Sequence, residues 1–321
     1  MSKWCIGIDL GGTFIKFVLV DREGRSDDVF ELPTPDSGAD AVALQMGAGA
    51  RRAMESRGLS LGDVTGVGIG SPGPLSISEG VVRAMPNIPG MNNVPLRRMV
   101  GDLLQLPVVL ENDANAAAYG EYLCGAGRGT HDMVLLTLGT GVGSGIILGG
   151  EILHGAHEMG AELGHLILVP DGEPCGCGQR GCLERYCSAR YMAERATRRI
   201  ERDAPDTSLR EILDSKGEID ARDINEARRA GDAFAAEAWD EMTRYLAQGC
   251  VDICRIFDPD KIILAGGMTR AGDDLLDPVR EHFAELHWSM TGTLTELAIA
   301  SLGADAGAIG AAGVAWRALG N

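Results

Sequence analysis

The sequence predicts an α/β protein assembled from two related halves, and three observations carry that expectation. The chain opens on a strand, a glycine turn and a second strand, "WCIGIDLGGTFIKFVLVD", in which β-rich apolar runs flank Gly11, Gly12 and Thr13. About 130 residues later the pattern returns in "MVLLTLGTGVGSGIILGG". Each hairpin then leads into a run of alternating strands and helices, the arrangement of layered α/β proteins.

The elements follow in order. Ala39 to Arg57 has helical composition and stops at Gly58, a residue suited to the position just past a helix end. "VTGVGIGSPGP" reads as a short strand entering a Gly/Pro loop, and "VPLRRMVGDLLQ" as an amphipathic helix. "PVVLENDANAAAYGEYLCGAG" gives a strand, an acidic turn and an alanine-rich helix. The longest helix is expected from about Asp232 to Phe257. "DPDKIILAGGM" then supplies a turn, a buried strand and a Gly-Gly end, and "AGAIGAAGVAWRAL" a final helix. No low-complexity linker separates the halves, so the boundary is expected in a short connection near Tyr119. Residues 1–118 with 304–321 would form a smaller first domain, with the last helix packing back on it, and 119–303 a larger second one.

Composition narrows the function. A chain of 321 residues with 45 % hydrophobic and 23 % charged content can bury a large core. Its net charge of −17 argues against a partner that is nucleic acid or an anionic membrane. A small anion such as ATP is not excluded, because a few backbone N–H groups and a cation suffice to hold it. The 45 glycines suggest tight turns and places where backbone approaches a ligand. The N-terminus shows no apolar signal segment, and no apolar run reaches the ~20 residues needed to span a bilayer. A cytoplasmic setting is therefore expected, where eight cysteines are not a disulfide framework.

Neither hairpin is a P-loop or a dinucleotide fingerprint, since no helix follows the glycines. A turn of small residues can still aim N–H groups into a nest for phosphate oxygens, with the Thr13 and Thr140 hydroxyls beside them. Asp9, ending the first strand, is placed to hold water around a phosphate-bound Mg²⁺. The plainer reading is a pair of ordinary hairpins with permissive glycines. Gly266 and Gly267 end a buried strand, where α/β proteins leave room for a flat ligand.

In "VVLENDANAAA" the strand ends directly before a helix, so Asn112 or Asp113 is a natural N-cap. The same location suits a catalytic carboxylate, kept ionised by the positive end of the helix dipole. Phosphoryl transfer needs only a weak, well-placed base. Asn112 beside it offers both a donor and an acceptor to a polyol.

"CGCGQRGCLE" puts Cys175, Cys177 and Cys182 within eight residues. With His165 they supply four ligands for a structural Zn²⁺, whereas Cys187 is expected beyond the loop on the next helix. A metal there would fix Glu162, Glu184 and His165 relative to one another. Cys5, Cys124, Cys250 and Cys254 read as small core residues, and His154 and His157 as surface or supporting groups.

At these residues the chain resembles the ROK family of sugar kinases, nearest its bacterial glucokinases. The matching pieces are "DLGGT", "SPGPL", "ENDANAAA", "LGTGVGSG", "HGAHEMGAELGH", "CGCGQRGCLE" and "LAGG", in the family's order over nearly the whole length. The resemblance implies an actin-like ATPase (ribonuclease H-like) fold of two α/β domains with the active site in the cleft between them. It implies Asp113 as general base on a hexose 6-hydroxyl, with Gly73, Asn112, Asp113, Glu162, His165 and Glu184 binding the sugar. His165 would ligate zinc through one ring nitrogen and approach the sugar through the other. Asp9, Gly11, Gly12, Thr13, Thr140, Gly141 and Gly143 would surround the phosphates of ATP with Mg²⁺, and Gly266 and Gly267 would lie near adenosine.

Two positions depart from the family pattern: Ser144, where the turn usually continues as glycine, and Met91, often Trp in glucokinases. Only eight residues precede Asp9, so the DNA-binding module of the family's repressors is not expected. The function expected is phosphorylation of glucose to glucose 6-phosphate by a homodimer. The alternatives are a kinase for N-acetylmannosamine, N-acetylglucosamine, fructose or allose, and a sugar-sensing protein without catalysis.

Overall fold

The first hairpin sets apolar β-formers on both sides of its glycine turn, and its two strands pair without a bulge. In the computed structural model, which describes residues 4–85, 88–287 and 295–320, β1 (Trp4–Leu10) and β2 (Phe14–Asp21) run antiparallel from Trp4↔Asp21 to Leu10↔Ile15. β3 (Phe30–Pro33) joins the far edge of β2, while β4 (Val64–Ser71) lies parallel to β1 and β8 (Val108–Asn112) parallel to β4. The sheet order is β3-β2-β1-β4-β8. Between these strands, β5 (Leu75–Ser76), β6 (Val81–Ala84) and β7 (Asn92–Val94) make a small antiparallel sheet of their own.

The second hairpin heads a second sheet of β9 (Met133–Leu138), β10 (Val142–Leu148), β11 (Glu151–Ile152), β12 (Lys261–Ala265) and β13 (Glu296–Ile299), in the order β11-β10-β9-β12-β13. Counted within each sheet, both orders read third, second, first, fourth, fifth. The repeated hairpin therefore heads a repeated topology, and the expected duplication is present.

The helices interleaved in sequence with the first sheet's strands are α1 (Ala39–Ser56), α2 (Leu96–Leu104) and α3 (Asp113–Cys124), and the chain's last helix packs on the same sheet. Then come α4 (Glu184–Cys187), α5 (Ala189–Asp203), α6 (Leu209–Lys216), α7 (Ala221–Arg229), α8 (Ala233–Phe257), α9 (Asp273–Leu286) and α10 (Ala306–Leu319). α8 spans 25 residues, and Asp232 caps it by accepting from the Ala235 N–H. None of the described helices is long and apolar enough to cross a membrane.

α10 explains many of the glycines. A Cβ on Gly7 of β1 would lie 1.9 Å from the Ala308 carbonyl oxygen, and one on Gly68 of β4 1.8 Å from that of Ala311. A Cβ on Gly310 would come 1.6 Å from the Ala116 oxygen of α3. These glycines are packing surfaces rather than turns or ligand contacts, because only a missing side chain lets helix backbone sit directly on strand and helix. Gly68→Ala is expected to lower the melting temperature by more than an ordinary core substitution, since overpacking against backbone costs about 1–3 kcal/mol or more; calorimetry checks this.

The described residues divide into two compact units. One comprises residues 1–135, 145–161 and 301–321, and the other 136–144 and 162–300. Tyr119, where the sequence placed the boundary, lies inside α3, which belongs whole to the first unit.

Candidate active site

In the first unit, β8 delivers its last residues straight into α3. Asn112 is the N-cap: its backbone is extended and its Oδ1 accepts from the N–H groups of Ala114 at 2.9 Å and Asn115 at 3.2 Å. Asp113 is thereby released from capping. Its Oδ1 accepts from the Ala114 N–H at 2.8 Å. Burial pushes the Asp113 carboxyl above the ordinary carboxylate range, and its hydrogen bonds only partly offset that. The helix end was expected to hold this group more firmly ionised; desolvation reverses the sign.

Asp9 at the end of β1 is the neighbouring carboxylate. β4 runs between the two strands, and a Cβ on Gly70 would lie 3.8 Å from Asp113 Cα and 3.9 Å from Asp9 Oδ1. Burial and the Asp113 charge push Asp9 up to about 6, against a smaller pull from Lys16. A raised carboxyl pKa means that the folded state binds the proton more tightly than the unfolded chain does. Stability from Asp9 is thus present at low pH and lost as pH rises from about 4 to about 6. Asp9→Asn is expected to raise stability at pH 7 by roughly 2–3 kcal/mol, and by far less at about pH 4; thermal melts at the two pH values measure it. Gly73 follows β4 with φ +90°, where a Cβ would strike the Ala84 carbonyl oxygen at 2.3 Å.

The glycine turns spend part of their N–H groups internally. Gly11 donates to the Phe14 carbonyl at 3.0 Å, Gly139 to that of Gly141 at 3.0 Å, and Gly143 to Thr137 Oγ1 at 3.1 Å. Among the described residues, the N–H groups of Gly12, Thr13, Thr140 and Gly141 have no protein acceptor. Each turn therefore keeps two donors for an anion. Ser144 turns its Oγ, itself buried, to the Leu163 N–H at 3.0 Å. This departure therefore supports the segment of Glu162 and His165. Met91 is wholly buried in the core.

In the second unit the cysteine loop closes around one point. The ligand atoms of His165, Cys175, Cys177 and Cys182 all lie within 4.8 Å of one another. Cys177 Sγ is 3.7 Å from Cys182 Sγ, and Cys175 Sγ is 3.7 Å from His165 Nδ1. Tetrahedral zinc with Zn–S bonds near 2.3 Å sets ligand atoms about 3.6–3.8 Å apart, so the four residues fit that ion. The nitrogen turned to the sulfurs is Nδ1, which leaves Nε2 of His165 outside the ligand set. Cys187 is excluded: it is fully buried in α4, with its thiol directed to the Met242 carbonyl.

Glu162 precedes the 3₁₀ turn Leu163–His165, and Glu184 opens α4. Glu184 Oε2 accepts from the Val142 N–H at 3.0 Å, and a Cβ on Gly141 would meet that oxygen at 2.3 Å. The metal loop and the second glycine turn thus share one carboxylate.

Two adjoining cavities of 460 and 600 Å³ open beside this turn, within the usual size range of small-molecule sites. Both are lined by Thr140, Ala189, Asp220 and Ala221, and the smaller one also by Gly267 and Trp239. Gly266 next to it has φ +88°, with Leu138 backbone 2.5 Å from where a Cβ would sit. The walls from α5, α7 and α8 carry no motif, and their charged helical pattern resembles any solvated face.

The ROK family model matches residues 5–318. The glucokinase of Halalkalibacterium halodurans is 37 % identical over 312 residues, covering 96 % of this chain and 94 % of that one. The crystal structure of a ROK hexokinase from Thermus thermophilus superposes with a TM-score of 0.85 at 35 % identity, over 99 % of both chains. A ROK glucokinase from Streptomyces griseus, crystallised with glucose and AMPPNP, gives a TM-score of 0.79 at 37 % identity, over 98 % of this chain and 99 % of that one.

Proposed function

Because the chain belongs to the ROK family, with the actin-like ATPase fold of its sugar kinases, we propose that it transfers the terminal phosphoryl group of ATP to the 6-hydroxyl of a hexose, with glucose the preferred acceptor. The observation that carries this reading is Asp113, a carboxylate whose affinity for a proton is raised by burial and which the capping by Asn112 holds at the head of α3. Its elevated pKa makes it a better proton acceptor than a surface carboxylate.

The transition state is loose, so the hydroxyl gives up its proton late and orientation matters more than base strength. Asn112 has committed its Oδ1 to the cap, so its amide NH₂ is what it offers a sugar hydroxyl, a donor role only. Glu162 and Glu184 supply acceptors to the remaining hydroxyls, and the Nε2–H of His165 supplies a donor, because zinc on Nδ1 leaves the ring proton on Nε2; Gly73 is a further sugar contact. Zinc on His165, Cys175, Cys177 and Cys182 would hold the loop that presents them. The free N–H groups of Gly12, Thr13, Thr140 and Gly141, with Gly11 and Gly143 shaping the turns, receive phosphate oxygens. Adenosine occupies the cavity by Gly267, with Gly266 fixing its floor. Mg²⁺ would neutralise phosphate charge when bound, and Asp9 would help to hold it. A cytoplasmic homodimer completes the reading.

ADP release with ATP–Mg²⁺ over a panel of hexoses tests the proposal. Glucose is expected to give the highest kcat/KM, ahead of N-acetylmannosamine, N-acetylglucosamine, fructose and allose. No hexose-dependent release with any of them overturns the reading.

A further inference from the structure

We propose that His154, seated on the buried carboxylate of Glu111, is a positioning residue for the Asn112–Asp113 turn. The inference rests on Asp113 being the general base.

Glu111 is 2 % exposed, the residue before Asn112, and it makes three hydrogen bonds. Its Oε1 accepts from the Asn112 N–H at 2.9 Å and from Asn115 Nδ2 at 3.0 Å. Its Oε2 is 2.7 Å from His154 Nε2, and a carboxylate oxygen there requires that nitrogen to donate. The other two donors are neutral, so of the three only His154 can bring a positive charge to this buried carboxylate. An unpaired buried charge is costly, whereas a paired one is tolerated. Asn115 Oδ1, on the same cluster, is buried without a partner, so acceptors already exceed donors around Glu111.

Glu111 is also coupled to the reacting turn. The Asn112 N–H and the Asn115 side chain it binds belong to the N-cap and third residue of α3, on either side of Asp113. Rotation of Glu111 would therefore turn the peptide that carries Asp113, and a displacement near 1 Å can cost about 10²-fold in rate.

The segment bearing His154 is itself anchored further along. Glu158, at φ +57°, accepts from the Ile77 N–H at 3.0 Å, the Ser78 N–H at 2.7 Å and the Ser76 hydroxyl at 3.2 Å. The charged groups acting on His154 are Glu111 from β8 and Glu158 from its own segment, and both raise its pKa against partial burial. The imidazolium thus persists above the usual histidine range and is lost on the alkaline side.

The test is kcat against pH for the intact enzyme with glucose and ATP–Mg²⁺. The wild type is expected to show an alkaline fall in kcat. His154→Ala should lose about 10- to 100-fold in kcat, with the nucleotide KM within about twofold. His154→Gln, which restores a neutral donor, should recover part of that loss and lack the alkaline limb. Glu111→Gln should move the limb to lower pH, because the group that raises the histidine is gone. A His154→Ala enzyme within twofold of wild type, or a His154→Gln enzyme that keeps the alkaline limb, overturns the inference while Asp113→Asn stays inactive. An active Asp113→Asn enzyme instead removes the base assignment, and the inference falls with it.

Discussion

Asp113→Asn is expected to cut kcat by about 10²- to 10⁴-fold while changing hexose affinity by less than about tenfold. The substitution preserves size and keeps an oxygen for the Ala114 N–H, so the head of α3 should stay in place. What is lost is the proton acceptor. The wild type should also show an acid limb in kcat lying above the ordinary carboxylate range, because burial raises the Asp113 pKa and the base works only when ionised. Sign and position follow together: activity falls as pH drops through that raised pKa. Removing a destabilised buried carboxylate should also make the variant no less stable than the wild type. Pre-steady-state turnover and sugar titration separate the two effects. Turnover close to wild type would take Asp113 out of the chemistry.

The second large effect is expected from zinc. Protein purified without added metal should carry close to one Zn per chain, and Cys182→Ser should carry almost none. Cys182 is fully buried and 3.7 Å from Cys177, so the serine cannot replace its sulfur in a tetrahedral set. Apart from the metal, the loop is tied by turn hydrogen bonds such as Cys175 N–H to the Gln179 carbonyl and Gly181 N–H to that of Glu173, both at 2.8 Å. Its regular pairing amounts to the isolated bridges Ile167↔Cys182 and Pro174↔Arg180. Structural zinc supplies on the order of 10 kcal/mol in small zinc-dependent folds. Loss should therefore open residues 166–183 to proteolysis and free Glu184 from the Val142 N–H. Hexose phosphorylation should fall with it and return on adding Zn²⁺ but not Mg²⁺. A metal content well below one per chain, with the loop still protected, would refute the site.

Much of this protein can be read locally. Alternation around Gly11–Gly12 and Gly141–Gly143 marks both hairpins, and their recurrence marks the duplication, because strand periodicity and turn chemistry act over a few residues. The Cys175–Cys182 spacing is equally local, and His165 lies close enough along the chain to be paired with it by eye. The "ENDAN" run identifies a helix start. Which of Asn112 and Asp113 caps it is not decided locally, since either side chain can do so until backbone torsions are known.

The remainder depends on residues far apart in sequence. Glu111 and His154 are separated by 43 positions and Glu158 and Ser76 by 82, and no composition or period links them. Asp113 carries a raised pKa because tertiary packing removes water from it, an effect that outweighs the helix end the sequence does reveal. Gly7, Gly68 and Gly310 look like turn or ligand glycines in the chain, and only the approach of α10 shows them as contact surfaces. The sequence by itself determined the elements, their repeated order and the clustering of His165 with Cys175, Cys177 and Cys182, since these follow from short-range sterics and spacing. The tertiary structure decided which carboxylates are buried, what each one holds and which helices wall the cavities, because burial and charge pairing are properties of surfaces brought together across the whole chain.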